Sequence, residues 1–401
     1  MSFTSPRRDL WLVVVAKSVS LLGDEVAAVA LVLRLQSHGA QPIAIAALLI
    51  AAMLPLLLLA GIVGRLVDRY DSRVLLVVSS LAQGALCVLL AYTTDTGVVL
   101  GLVAALGAGQ AVNGATWQAL VPTIVGTEQL PKALGLAQAG TTIAGIAAPA
   151  LAGLLTGLYG ARVPLLLDAA TFLAITAAGL LITTRRGSKV TGAARTKGGG
   201  LDIVRADPLL SILFPLLALF VLLGAMVNVV EVFLVRETLH ASTTWYGIVG
   251  AAYGVGALVG TVLGARLRGN PALARAFVGS AVGLAVALAA FAGAPTVAWL
   301  LPVALAGGAA NGVLNLTLGS LVMGRAAAEV RGRVGAVLNG VASGTQLAAF
   351  ALAGLLAAVL TPREIFVAAG VSGLLAPMLF ARRLIHAAAA SQAPTQVRVP
   401  A

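Results

Sequence analysis

The chain has 401 residues, of which 60% are hydrophobic and only 10% are charged. Soluble domains carry about 25% charged residues, so this composition excludes a soluble globular protein and indicates a membrane protein. The formal net charge of +12 does not indicate a nucleic-acid partner, because the basic residues recur as short clusters between apolar runs. One cysteine and three widely spaced histidines predict neither a disulfide nor a metal site, and we expect no cofactor.

Twelve apolar runs, mostly about 18–25 residues long, match the ~30 Å hydrocarbon core that a membrane helix must cross. They predict an all-α membrane protein with six-helix bundles in residues 1–183 and 208–385. A basic, Gly-rich linker, 184–207, joins the bundles, and residues 386–401 form a tail. The predicted spans are 10–33, 42–64, 74–92, 97–121, 133–158, 163–183, 209–235, 244–265, 273–293, 296–322, 334–360 and 364–381.

The distribution of lysine and arginine predicts the orientation of these spans. With both termini inside the cell, the cytoplasmic segments carry 21 basic residues. The outer loops then carry four, which are Arg34, Arg162, Arg236 and Arg363. We therefore expect a multi-pass protein of the cytoplasmic (inner) membrane with both termini in the cytoplasm.

The first predicted span contains three charged residues, Lys17, Asp24 and Glu25. An ionised group costs about 2.5–3.5 kcal/mol at the centre of a membrane helix, so acids at such positions indicate a function. Lys17 and Asp24 share a helix face of small and polar residues, whereas Glu25 is turned about 100° away. Asp24 is therefore either a proton carrier or a structural ion-pair partner of Lys17, and Glu25 is a further candidate for proton coupling.

The segment GRLVDRYDSR follows the second span. Its acids and arginines can pair with one another or with a facing helix, and the alternative is an ordinary basic cytoplasmic loop with incidental acids. Gly64, Asp68, Arg69 and Arg73 resemble motif A of the major facilitator superfamily, with Asp71 where many members have glycine. The resemblance implies a cytoplasmic gate that locks the two halves together, with Asp68 as its latch and the two arginines as its partners.

The fifth span contains AGIAAPALAG, in which Pro149 and Gly153 resemble motif C of the exporter branches, although alanine replaces several glycines. The alternative is ordinary packing of small residues. Three further stretches, 107–125, 165–175 and 326–340, resemble the drug- and macrolide-efflux type. The resemblance covers most of the chain and implies export. One departure is that the fourth span lacks the arginine that many drug–proton antiporters carry there.

Two more acids lie inside predicted spans. Glu231, beside Asn228 in the seventh span, lies at a depth similar to that of Asp24 and is an equal candidate for proton coupling. Asp168 in the sixth span is a fourth candidate, although a hydrogen bond to a neighbouring helix is the favoured interpretation of that residue.

By analogy with the family, spans 1, 4, 7 and 10 line the substrate cavity. Their apolar surroundings favour amphiphilic solutes, cationic ones included. We expect about half of the polar candidates to bridge helices rather than to contact substrate. The candidates are Gln110, Asn113, Trp117, Asn228, Asn311 and Asn315.

The two halves resemble each other at an offset near 200 residues. Such a repeat is typical of one large class of transporters, in which the substrate site lies between the halves. The matching pairs are Gly64 and Gly264, Asn113 and Asn311, Gly135 and Gly335, and His38 and His240.

These features predict a secondary active transporter, a proton-coupled antiporter that exports drug-like or natural-product-like organic molecules by alternating access. The chain contains no nucleotide-binding P-loop, so ATP is not the evident energy source. An uptake or lipid-handling porter of the same fold, for a lysophospholipid or a nutrient, is the first alternative. A non-transporting membrane receptor is the remote one. We expect no enzymatic activity, a monomer, and only the organic substrate, protons and membrane lipid as partners.

Overall fold

The computed structural model describes residues 5–181, 200–326 and 330–390. The regular elements in these ranges are all helical. They are α1 (Ser5–Ser37), α2 (Pro42–Leu58), α3 (Ala60–Arg69), α4 (Ser72–Tyr92), α5 (Thr96–Tyr159), α6 (Arg162–Leu181), α7 (Gly200–Ala206), α8 (Pro208–Phe233), a π-helical turn (Leu234–Thr238), α9 (Thr243–Gly264), α10 (Asn270–Ala292), α11 (Val297–Arg325), α12 (Arg331–Leu356) and α13 (Pro362–Ala390).

These helices account for the predicted spans. In the described ranges, ten helical segments are long and apolar enough to cross a membrane, or eleven if α2 and α3, which are bent by 53°, form one span. The charged helix α1 covers the remaining predicted span. α5 covers both the fourth and the fifth span, which meet at Gly126, where a φ of +69° breaks the helical path. The all-α prediction is confirmed.

The predicted linker and tail are described only in part. Residues 184–199 and 391–401 lie outside the described residues. The end of the predicted linker forms α7, and Asp207 then caps α8 by accepting hydrogen bonds from the backbone N–H groups of Leu209 (2.8 Å) and Leu210 (3.1 Å). Since α13 continues to Ala390, the first residues of the predicted tail are helical.

The helices pack into two compact units. One comprises Met1–Ala193 with Ser242–Ala251, and the other comprises Ala194–Ala241 with Ala252–Ala401. Each unit has its own core of fully buried large side chains, which include Leu76 and Phe172 in the first unit and Leu213 and Phe277 in the second.

Glycine permits close helix packing at equivalent places in both units. Gly107 of α5 lies against the carbonyl oxygen of Ala52 in α2, and Gly308 of α11 lies against that of Tyr253 in α9. A Cβ atom on either glycine would collide with the facing backbone. Gly308 lies 201 residues after Gly107, and Tyr253 lies 201 residues after Ala52. The repeat that the sequence predicts therefore recurs in the packing.

The four arginines of the predicted outer loops each contact the end of a helix or the loop beside it. A cation is favourable at a helix C-terminus, where carbonyl groups lack helical partners. Arg34 donates to the carbonyl of Leu90 (2.7 Å), Arg236 to Ala241 (2.6 Å) and Arg363 to Ala294 (3.0 Å), and Arg162 lies over the ring of Tyr92 at 4.6 Å.

Candidate functional site

Asp24 lies in the middle of α1 and is half-buried. Its carboxylate interacts with the side chain of Gln110, which α5 places opposite it. Lys17, two turns earlier on α1, acts on this carboxylate through its charge, but no ion pair within 4.0 Å joins these two described residues. Asp24 is therefore a half-buried carboxylate with an amide neighbour and a cation at longer range.

Glu25 is exposed, in contrast to its half-buried neighbour Asp24. Consecutive residues of an α-helix point about 100° apart, so Asp24 faces the interior of the first unit and Glu25 faces its surface. The sequence prediction that these two acids have different surroundings agrees with this placement.

Asp168 is the most enclosed of the four acids, with 2% of its surface exposed. Its side-chain oxygens accept hydrogen bonds from the Cys87 thiol of α4 and the Thr171 hydroxyl of α6, both at 3.2 Å. A Cβ atom on Gly23 of α1 would lie 2.6 Å from the same carboxylate, so α1 approaches it closely. This arrangement joins α1, α4 and α6, as the favoured interpretation of a hydrogen bond to a neighbouring helix requires.

The polar candidates of α5 divide into two groups. Asn113 is 1% exposed, and its amide nitrogen donates to Ser80 (3.3 Å) and Gln83 (3.2 Å) of α4, so it bridges two helices. Gln110 instead reaches Asp24, and Trp117 lines a cavity. Asn113 therefore belongs with the half of the candidates expected to bridge helices, and its contact with substrate stays a prediction.

A cavity of 620 Å³ lies in the first unit, between α1 and the two parts of α5. Lys17 is the only charged residue among the described residues that line it. The other polar groups come from Ser18, Gln118 and Thr141, and Trp117 forms an aromatic wall. Eight of the thirteen lining residues are aliphatic or proline, so the cavity suits a mainly apolar solute.

Glu231 of α8 is half-buried in the second unit, and its charge acts on the Tyr253 hydroxyl of α9. Asn228, one turn earlier, is exposed. The π-helical turn Leu234–Thr238 begins three residues after Glu231, and such turns are frequent at functional sites. In α11 of the same unit, the exposed Asn315 donates to the backbone and side chain of Asn311, both at 2.9 Å.

The motif-A segment forms the end of α3 and the start of α4. Gly64, Asp68 and Arg69 are exposed, and Asp68 forms no hydrogen bond or ion pair with another described residue. Arg73 instead donates to the carbonyl of Leu180 at the end of α6, so it contacts a facing helix. Asp71, which departs from the family pattern, caps α4 by accepting from the backbone N–H of Arg73 at 2.8 Å.

The motif-C residues lie where α5 packs against the start of α9. A Cβ atom on Gly153 would lie 2.5 Å from the carbonyl oxygen of Thr243 and 3.0 Å from Gly247. A Cβ atom on Gly250 would lie 2.8 Å from the Pro149 side chain. Close helix approach, which the small residues predict, is therefore present at Pro149 and Gly153.

A family model described as Major Facilitator Superfamily matches residues 13–344. The chain belongs to the major facilitator superfamily. It is therefore a multi-pass membrane transporter rather than an enzyme, as the motif-A resemblance predicts. A search of curated proteins gave no match.

Solved transporters share the fold of this superfamily member at low sequence identity. A mutant of the nucleoside transporter NupG has a TM-score of 0.72 and 12% identity, covering 94% of this chain and 100% of that chain. A bacterial homologue of the human lysosomal transporter Spinster, inward-facing and occupied, has a TM-score of 0.72 and 13% identity, covering 97% and 96%. An inward-facing bacterial homologue of the iron transporter ferroportin has a TM-score of 0.69 and 16% identity, covering 97% and 100%.

The second unit of this major facilitator contains an ion pair that the sequence does not predict. Arg325, the last residue of α11, donates from Nε to the buried carboxylate of Asp207 at 2.5 Å. An acid directly before a proline at the start of an apolar run is a signal for a helix N-cap, so the capping role could have been predicted. The pairing could not, because 118 residues separate the partners.

No group of three or more histidine, cysteine, aspartate or glutamate side chains that could hold a metal ion occurs in the described part of this transporter.

Proposed function

We propose that this major facilitator is a proton-coupled antiporter that exports amphiphilic, drug-like or natural-product-like organic molecules by alternating access. The observation that carries the proposal is Asp24, a half-buried carboxylate in the middle of α1 that interacts with Gln110. It shares a helix face with Lys17, which lines the 620 Å³ apolar cavity.

Protonation of Asp24 is the proposed coupling step. Acids in the middle of membrane helices are costly and commonly mark proton pathways. A carboxylate without an ion pair can accept a proton on one side of the membrane and release it on the other. Glu231 is the proposed second carrier, because it is also half-buried and forms no ion pair with another described residue, while its charge acts on the Tyr253 hydroxyl.

The motif-A segment is the proposed gate of the transport cycle. Asp68 is exposed and forms no bond with another described residue, so it is free to act as a latch. The close packing at Pro149 and Gly153 supports the resemblance to motif C, which favours export over uptake.

The test uses purified protein in liposomes with an imposed pH gradient. The flux of a lipophilic dye and the internal pH are followed together for the wild type, Asp24→Asn and Glu231→Gln. We expect the dye to move against its gradient only while protons run the opposite way, and at least one of these two variants to abolish this exchange. Asp202→Asn, which changes an exposed acid of α7, is the matched control and should retain coupling.

If both variants retain wild-type exchange, the coupling roles proposed for Asp24 and Glu231 are wrong. Net uptake of the dye, driven by protons moving in the same direction, would instead favour the alternative of an uptake or lipid-handling porter.

A further inference from the structure

Lys17 is a cation without a bonded partner in the described part of the chain. It is half-buried in α1, lines the cavity of the first unit, and forms no hydrogen bond or ion pair with a described residue. Asp24 acts on it only at longer range and does not line the cavity. A partly buried charge is costly unless a group of opposite charge compensates it. The ammonium group therefore lacks an anionic contact that a ligand can supply.

The remaining cavity wall offers hydrogen-bond donors and apolar surface. The described residues that line it include no aspartate or glutamate. Ser18, Gln118 and Thr141 carry hydroxyl or amide groups that can donate hydrogen bonds. The buried ring of Trp117 forms an apolar wall. A ligand with acceptor oxygens at one end and an apolar body complements this wall, whereas a cationic ligand would meet the like charge of Lys17.

We infer that the cavity between α1 and α5 binds amphipathic organic anions, with the carboxylate or phosphate group at Lys17 and the apolar body against the α5 residues. This inference deepens the proposed function, on which it rests for its role in transport, by naming the substrate class. It replaces the sequence expectation that cationic solutes are included. Both a soluble organic acid and a single-chain anionic lipid have this chemistry.

The test measures binding to full-length protein in nanodiscs without a proton gradient. The probes are dansyl-labelled undecanoate, its neutral methyl amide and the corresponding undecylamine, each corrected for binding to empty nanodiscs. We expect wild type to bind the anion about tenfold more tightly than the neutral amide. Lys17→Met should abolish this preference and Lys17→Arg should retain it. Arg275→Met, which removes an exposed charge of α10, controls for net charge and should also retain it.

Competition identifies the source of the anion. Displacement of the probe by naphthoate assigns a soluble organic acid, displacement by lysophosphatidate assigns a lipid, and displacement by neither overturns the inference. Equal binding of all three probes to wild type, tighter binding of the amine, or an unchanged preference in Lys17→Met would also overturn it.

Failure of this inference is distinguishable from failure of the proposed function. Lys17-dependent anion binding without proton-driven flux leaves the substrate class standing and removes the antiport mechanism. Proton-driven dye flux in a protein that shows no preference for the anionic probe would support the antiport mechanism and remove the proposed substrate class.

Discussion

At the scale of single residues, surroundings separate side chains that are equivalent in the sequence. Asp24 and Asp168 both lie within apolar spans, yet Asp168 has two hydrogen-bond donors and Asp24 has an amide neighbour and a distant cation. Asp68 and Asp71 lie three residues apart, yet only Asp71 caps a helix. The role of each acid follows from what it contacts, which a single sequence does not contain.

The two motif-A acids give a matched prediction. Asp71→Ala should lower the free energy of unfolding by about 0.5–2 kcal/mol, because α4 loses its N-cap. Asp68→Ala should leave stability near that of the wild type and reduce transport, since this exposed carboxylate is the proposed latch. Thermal unfolding of the purified variants and flux in liposomes measure the two effects. Loss of stability in Asp68→Ala with none in Asp71→Ala would contradict the assignment.

Two amides predicted to line the cavity give a second comparison. Asn113→Ala leaves Ser80 and Gln83 without their amide donor inside the bundle, so it should cost about 1–3 kcal/mol of stability. Asn228→Ala changes an exposed side chain and should cost less than about 0.5 kcal/mol. Denaturation midpoints measured under one set of detergent conditions test this difference, and similar midpoints for both variants would contradict the bridging role of Asn113.

At the scale of helices, apolar length predicts the elements well and their contacts poorly. Hydropathy locates the spans, because each must cover the same hydrocarbon thickness. It does not predict that the fourth and fifth spans meet directly at Gly126, or that Arg325 pairs with Asp207. Nor does it distinguish an amide that faces a cavity from one that faces a helix, because both interrupt an apolar run in the same way.

Glycine in α11 gives a prediction about helix packing. Gly308→Ala should destabilise the protein, because the new methyl group meets the Tyr253 backbone of α9. Gly319→Ala on the same helix has open space around it and should be neutral or stabilising by up to about 1 kcal/mol, since alanine favours helix. Thermal unfolding of both variants measures the opposite signs. An equal loss of stability in the two variants would show that the glycine at position 308 is needed for its backbone freedom rather than for close packing.

At the scale of the whole molecule, the internal repeat includes two of the arginines in the predicted outer loops. The glycine contacts of α5 and α11 recur at an offset of 201 residues, and so do Arg162 and Arg363 at the starts of α6 and α13. The predicted outer arginines contact helix ends or adjacent loops, so structural roles account for the few basic residues on that side. The excess of basic residues in the predicted cytoplasmic segments then remains the signal for orientation.

Cysteine labelling tests this orientation. Cys87 is the only cysteine and is fully buried, so the wild type should not react with a membrane-impermeant maleimide. Ser37→Cys places a thiol at the exposed end of α1 and should react in intact cells. Arg268→Cys places one in the exposed loop between α9 and α10 and should react only after the cells are permeabilised. Labelling of Arg268→Cys in intact cells, with labelling of Ser37→Cys only after permeabilisation, would contradict the predicted topology. The excess of basic residues would then lie outside the cell.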